Sequence, residues 1–409
     1  MLDCRRLTAL AGCVRLISFD QALALVEASV ASLPREDVPL AEAAWRVLAA
    51  PLFARRAAPF SDVAAMDGYA VHDGSTKAGM PVLVLGESRA GAGFSGMVQA
   101  GEAVRIFTGA PMPKGADRVI MQEYAMQEGD TVRFAEGYGP GWHVREAGSD
   151  FSAGDLLLDV GTRLGSRAIV AAAAADQAML KVSAQPTVAI IGTGDELAPP
   201  GEAHLRADAI PESVTYGIAA LAEQAGARAV ARMIGEDSLP ALERLAGDML
   251  DQADVVIVTG GASVGERDFA KPMFVSHGME LLFSKVAMKP GKPVWLGQAK
   301  GKWVLGLPGN PTSAMVTARL FLRALLAKLQ GQPTSEVLQW RALPLACQMP
   351  ATGGRETFVR ARWDADGLHP LSNQDSGVQL ALAQADWLIR SVPNSPALGA
   401  GETVNALEF

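Results

Sequence analysis

The sequence predicts a multidomain α/β plus β protein: a doubly wound, mostly parallel α/β domain, preceded by a β-rich inserted domain and followed by a C-terminal β-barrel domain. Three observations carry this prediction. From Thr187 onward, apolar runs alternate with helical patterns, the order that builds a parallel sheet. Between Pro59 and Gly139, short β-type runs alternate with glycine-rich turns. After the linker-like GQPTS at 331–335, the runs ETFVRARW, DWLIRSV and TVNALEF are separated by Gly, Pro and Asn turns, as in a compact barrel or sandwich. A chain of 409 residues also exceeds what one hydrophobic core ordinarily serves.

The expected layout is a loose extension over 1–17, a helical linking domain made of 18–58 and 140–185, the insert over 59–139, the α/β domain over 186–330 and the barrel over 331–409. Ser18 and Gln21 form a capping box ahead of Phe19, Ala22, Leu23, Val26, Val30 and Leu33, which recur at helical spacing up to Pro34. A second short helix is expected from Leu40 to Ala50, stopped by Pro51. The insert has strand-like runs at Pro81–Leu85, Ala103–Phe107 and Thr131–Phe134. Residues 140–185 mix turns with an alanine-rich helical stretch. In the α/β segment, VAIIG runs into the turn GTGDE. Helix Val214–Gln224, strand Ala229–Ile234, helix Leu239–Asp251 and strand Val255–Val258 follow. Next come the turn TGGASVGERD, a helix through Phe274, strands around Leu281–Ala287 and Val304–Leu307, and a helix from Thr312 to Leu329.

Composition excludes several classes of function. With 36 Lys+Arg against 44 Asp+Glu, the formal charge is −8, so no basic excess embraces a nucleic acid. The longest apolar stretch, 168–175, stops at Asp176 and is too short for a membrane span. The opening MLDCRRLTALAGCVRL lacks a signal-peptide layout, so a cytoplasmic address is expected. Cys4, Cys13 and Cys347 make no disulfide framework or CxxC pair, and His72, His143, His204, His277 and His369 are scattered. Any metal is therefore expected to be a hard cation on carboxylates.

Two generic motifs carry little. Gly91, Gly93 and Gly96 satisfy GxGxxG but lie between β-type runs and open no helix, so hairpin turns explain them better than a dinucleotide site. The run from Gly261 through Ser263 to Gly265 satisfies GxSxG, for which Asp268 or Asp375 with His277 or His369 would complete a triad. No HGGG-type oxyanion segment accompanies it. A turn whose Gly260 and Gly261 backbone and Ser263 hydroxyl receive an anion is better supported.

More telling are three strand-end loops expected on one sheet edge. They are GTGDE with Asp195 and Glu196, the turn from Thr259 to Asp268, and GLPGNPTS, whose Pro308 and Pro311 fix φ. Beside them stands KVAMKPGKP. Read as a strand, it puts Lys285 and Lys289 on one face about 13 Å apart, with Val286 and Met288 on the other. Carboxylates for a cation beside lysines for anions suit nucleotide or phosphate chemistry. MDGYA with Asp67, and RIFTGAPMP with Thr108, have no unique meaning on their own.

Together MDGYA, RIFTGAPMPKGADRVI, GTGDEL, TGGASVGERDF, KPGKP, GLPGNP and GGRETFVR resemble the molybdopterin molybdenumtransferase family (MoeA and the gephyrin E domain), in family order from residue 18 to the C-terminus. The resemblance implies elongated homodimers of four-domain subunits with the active site shared between subunits. It also implies molybdenum insertion from molybdate into adenylylated molybdopterin, releasing AMP, with Mg²⁺. Further implied partners are a molybdopterin adenylyltransferase and the molybdoenzymes that receive the cofactor; nucleic acid and membrane are not among them.

By the same resemblance, Asp67 and Thr108 belong to the active cleft, and Glu196 and Asp268 serve the cation and organise attack on the adenylate. Lys285, Lys289 and Lys292 would neutralise phosphate and molybdate oxygens. Pro308 and Pro311 would shape a loop, Arg355 and Ser376 would reach across the dimer interface, and Asp150 is a further candidate. Three positions depart from the family pattern: Glu212-Ser213-Val214 for Asp-Ser-Asn, Glu236-Asp237 for Asp-Asp, and Asp375 for glycine. The alternative is a non-catalytic molybdopterin-binding carrier or scaffold, and tungsten is not separable from molybdenum by sequence.

Overall fold

The computed structural model describes residues 16–260 and 269–409. The chain divides into two compact units, one of residues 37–182 and one of the segments up to Glu36 and from Ser183 onward.

The second unit is built on a six-stranded sheet in the order Arg228–Gly235, Thr187–Thr193, Val255–Thr259, Lys302–Leu307, Trp295–Ala299, Glu280–Phe283. The first four strands are parallel, and Trp295–Ala299 runs antiparallel to both its neighbours. The central strands are apolar throughout because both faces are covered. Val188, Ile190, Val255, Ile257 and Leu305 pack with helix Val214–Gln224 and the helical segment from Pro311 to Leu329. Their alternates Ala189, Ile191, Val256, Val258 and Val304 pack with helix Leu239–Gln252. This period of two, with helices on both faces, is the doubly wound arrangement. From Thr187–Thr193 the chain steps outward to Arg228–Gly235, then returns to Val255–Thr259 on the opposite side. A crevice is therefore expected beyond the carboxyl ends of those two strands.

Helix Phe19–Ser29 joins the first of these cores, its capping box of Ser18 and Gln21 formed as the sequence predicts. Phe19 is fully buried and meets Phe321 and Phe358 edge-on, with ring centroids 5.6 and 5.0 Å away. The C-terminal sheet runs Met288–Lys289, Glu356–Asp364, Trp387–Ser391, Thr403–Glu408, Arg341–Pro344, with Gly367–Pro370 also on Glu356–Asp364. It curls around Leu345, Met349, Ala361, Leu368, Ile389 and Ala406. Its edges meet through one bridge, Leu345 to Leu368, so the expected barrel is a half-barrel.

The 37–182 unit holds a six-stranded sheet in the order Arg118–Met121, Gly68–Val71, Glu102–Ile106, Pro81–Ser88, Thr131–Phe134, Ala125–Glu128, together with helix Ser166–Ala174. No helix among the described residues is long and apolar enough to cross a membrane.

Four further sequence expectations are corrected. Leu40–Ala50 is not a helix: only Leu40–Glu42 forms a 3₁₀ turn, Trp45 stands at φ 67°, and Val47 and Leu48 bridge to Arg163 and Val182. The strand expected over Leu281–Ala287 ends at Phe283, and Trp295–Ala299 is an additional strand. The helix through Phe274 is a 3₁₀ segment, Pro272–His277. Ile17 is not loose, because its carbonyl accepts from Ala287 N (2.8 Å); residues 1–15 of the expected extension lie outside the described residues.

Candidate active site

A cavity of about 590 Å³ opens at the crevice beyond Thr193 and Thr259. Its walls are the strand-end loops: Thr193, Gly194 and Glu196 from the first, Thr259 and Gly260 from the second, and Pro308, Gly309, Asn310 and Pro311 from the third. The chains approach closely here. A Cβ on Gly260, which stands at φ 96°, would lie 2.6 Å from the Thr193 carbonyl oxygen, and one on Gly309 would lie 3.1 Å from the Gly260 Cα. Asp195 fixes the mouth, its Oδ1 accepting from Asp237 N at 2.9 Å. Glu196, Glu212 and Asp237 line the cavity, and no described Lys, Arg or His does.

Glu212 is buried and accepts from Thr215 N (2.8 Å) and from the Thr215 hydroxyl, so it starts helix Val214–Gln224 in place of the N-cap Ser213. Asn310 likewise precedes helix Pro311–Thr317 without capping it; its Nδ2 donates to Ser376 Oγ at 2.9 Å. Ser376 thus stands by the rim of this cavity within its own chain. The surrounding loop is tightly held. Thr312 N donates to Ser376 O (3.1 Å), Thr312 Oγ1 to Val378 O (3.1 Å), and the buried Arg360 to Asn373 O (3.2 Å), Asp375 O (3.0 Å) and Thr312 Oγ1 (3.2 Å). Burial pulls the Arg360 guanidinium below its ordinary pKa, against the opposing pull of Asp375. The Asp375 carboxylate accepts from Gly377 N (2.8 Å), so this departure from the family pattern closes a turn.

The lysines are not in this cavity. Val286 and Met288 are fully buried while Lys289 is exposed, as the strand reading predicts, but Met288–Lys289 pairs with Glu356 and Thr357 of the C-terminal sheet. Lys289 lines a second cavity of about 370 Å³ with Thr352, Thr357, Ser372 and Gln374. The 289–293 loop serves both, since Pro293 lines the first. Lys292 and Arg355 are exposed and Lys285 half-buried.

Asp67 and Thr108 meet within the 37–182 unit: Asp67 Oδ1 accepts from Thr108 N (2.7 Å) and Oγ1 (2.8 Å). Those bonds hold the Asp67 carboxyl below its usual pKa, with Arg105 adding a smaller pull. Asp150 is exposed in the same unit. Gly261, Ser263 and Asp268 lie outside the described residues. The weak motifs stay weak. Gly91 sits in a tight Arg89–Ala92 turn, His277 is committed to Glu243 O (2.8 Å), and His369 to Asp364 (2.9 Å). Sequence reading did not name Asp237, Glu212, Asn310 and Gln379 as wall residues; Asn310 lies inside GLPGNP and Glu212 and Asp237 at positions set against the family pattern, whereas Gln379 had no motif.

A doubly wound domain with an acidic, glycine-edged cavity at its strand-order reversal defines a ligand-binding α/β protein. Family models match three stretches: MoeA N-terminal region (domain I and II) over 17–175, probable molybdopterin binding domain over 189–328, and MoeA C-terminal region (domain IV) over 342–409. The chain is 35% identical to the molybdopterin molybdenumtransferase of Haemophilus influenzae, over 91% of this chain and 94% of that one. It is 33% identical to that of Nostoc sp., over 91% and 88%. The crystal structure of the molybdopterin biosynthesis MoeA protein from Pyrococcus horikoshii superposes with a TM-score of 0.81 at 26% identity, covering 97% of this chain and 100% of that one. The chain belongs to the molybdopterin molybdenumtransferase family, transferases of molybdenum cofactor biosynthesis.

Proposed function

We propose that this chain inserts molybdenum from molybdate into adenylylated molybdopterin, releasing AMP, with a divalent cation such as Mg²⁺. The observation that carries the reading is the cavity at the strand-order reversal, walled by residues of the GTGDE and GLPGNP motifs and by Thr259 and Gly260, all from segments that carry the family resemblance. The reactants are both anionic, so they need a place where their charges are offset. Lys289, in the neighbouring cavity beyond the 289–293 loop, is the candidate cation for molybdate oxygens.

Among the described residues no group of three or more His, Cys, Asp or Glu stands close enough to hold a metal ion. Glu196 and Asp237 are nonetheless hard oxygen donors on one cavity, the donor type Mg²⁺ takes when water and phosphate oxygens complete its shell. Bound there, the cation would offset charge on the phosphoanhydride. The protein's own residues position the reactants and keep water out, and cleavage of the anhydride drives insertion at the adjoining dithiolene. On this reading the working form is a cytoplasmic homodimer, with the exposed Arg355 available to a second subunit.

The test is AMP release from adenylylated molybdopterin, with and without molybdate and Mg²⁺, by the wild type and by Glu196→Gln and Asp268→Asn. Release that needs molybdate, stops on chelation and falls about 100-fold in each variant is expected. Tight binding with no molybdate-dependent release would make the chain a non-catalytic carrier or scaffold.

A further inference from the structure

Both helices that open onto the cavity begin at an N-cap that does no capping. Ser213 leaves that task to Glu212, and Asn310 makes no side-chain cap. Each turns instead to the 371–379 loop: Asn310 donates to Ser376 Oγ (2.9 Å), and Ser213 Oγ accepts from Gln379 Nε2 (3.3 Å). N-caps are worth about 1 kcal/mol to a helix, so side chains withheld from them point to another use. The loop before Gln379 is already fixed by Arg360, Thr312 and Gln374, and the exposed Gln379, which opens the short helix Gln379–Ala383, lines the cavity. Gln379 Oε1 accepts from no described residue, and one Nε2 hydrogen remains unspent.

We infer that Gln379 is a specificity-determining ligand contact, its carboxamide reading the donor–acceptor edge of a neutral nitrogen heterocycle. A carboxamide offers one donor and one acceptor side by side, the complement of such an edge. Gln379 and Ser213 bring only neutral hydrogen-bonding groups to this stretch of the lining, the kind that a neutral ring takes up. Val214, next to Ser213 on the lining, offers no side-chain hydrogen bond, and Asn310 donates to Ser376. Hydrogen bonds from Thr312 and Arg360 already hold the loop's backbone, which lowers the ordering cost of the contact.

This inference rests on the proposed function, which supplies two heterocycles, a pterin and an adenine. Binding of pterin and of adenosine, each uncharged, should be measured separately by calorimetry for the wild type, Gln379→Leu and Gln379→Glu. Gln379→Leu is expected to weaken one of the two about tenfold, the worth of one to two neutral hydrogen bonds, with the unfolding temperature unchanged. Gln379→Glu, an acceptor without a donor beside other carboxylates, should not rescue it. In turnover, Gln379→Leu should raise KM for the pterin substrate with kcat unchanged. A wild type that turns over, with neither ring's affinity nor KM altered by Gln379→Leu, overturns the role of Gln379 alone. A wild type that neither binds these rings nor releases AMP overturns the function on which it rests.

Discussion

Gly260 shows how little room single residues have at the cavity. Its φ of 96° is unfavourable for any side chain, and a Cβ would meet the Thr193 carbonyl oxygen at 2.6 Å and its hydroxyl at 2.7 Å. Gly260→Ala is therefore expected to cost about 2 kcal/mol of stability, read as a lowered urea midpoint, because the contacted atom is backbone and cannot swing aside. Residues of this kind were legible in the sequence. Glu196, Gly260, Pro308 and Pro311 sit in motifs whose glycines and prolines announce a shaped loop, and all four line the cavity. Gln379 lines it too and had no signal in the sequence, since a polar residue at the end of an irregular loop has no period and no special φ to declare it.

Among elements, the ends of the parallel strands divide their duties. The carboxyl ends hold the cavity, whereas the amino ends are tied by Asp254. Its Oδ2 accepts from Thr187 N (3.0 Å) and Oγ1 (2.7 Å), and its Oδ1 from Lys302 Nζ (3.1 Å), which joins the starts of three neighbouring strands. Burial raises the pKa of this carboxyl, but the bonds from Thr187 and Lys302 outweigh it, and the net direction is downward. A carboxyl depressed in the folded state adds stability above its unfolded pKa of about 3.9, and that stability is lost as pH falls through the lower folded value. Asp254→Asn should thus cost about 2 kcal/mol at pH 7, with the gap closing below about pH 4 in urea titrations.

The elements misread in the sequence failed for physical reasons. Leu40, Ala43, Val47 and Leu48 recur at helical spacing, yet backbone bonds from Trp45 to Leu164 and from Leu48 to Thr162 draw the segment into extended pairing. Trp295–Ala299 follows a run of lysines, prolines and glycine and has only five residues with no clear alternation, so no strand was expected there.

Over the whole molecule, the α/β core is where distant parts of the chain are joined. Phe19, Phe321 and Phe358 come from the N-terminal helix, the last α/β helical segment and the C-terminal half-barrel, and they share one cluster. Phe19→Ala should cost about 3–5 kcal/mol, lowering the denaturant midpoint of this unit, since the cavity left cannot collapse from three sides at once. The fold class was legible at this scale because alternating strands and helices leave a strong period. That the N-terminal helix packs in this unit was not, because an amphipathic stripe says that a face is buried without saying against what.

The chain leaves the α/β-containing unit after Glu36 and re-enters it at Ser183, and the two strands that carry those crossings, Arg35–Pro39 and Met179–Ser183, are hydrogen-bonded to each other. The 37–182 segment is therefore an insertion whose two ends lie side by side in the chain's path.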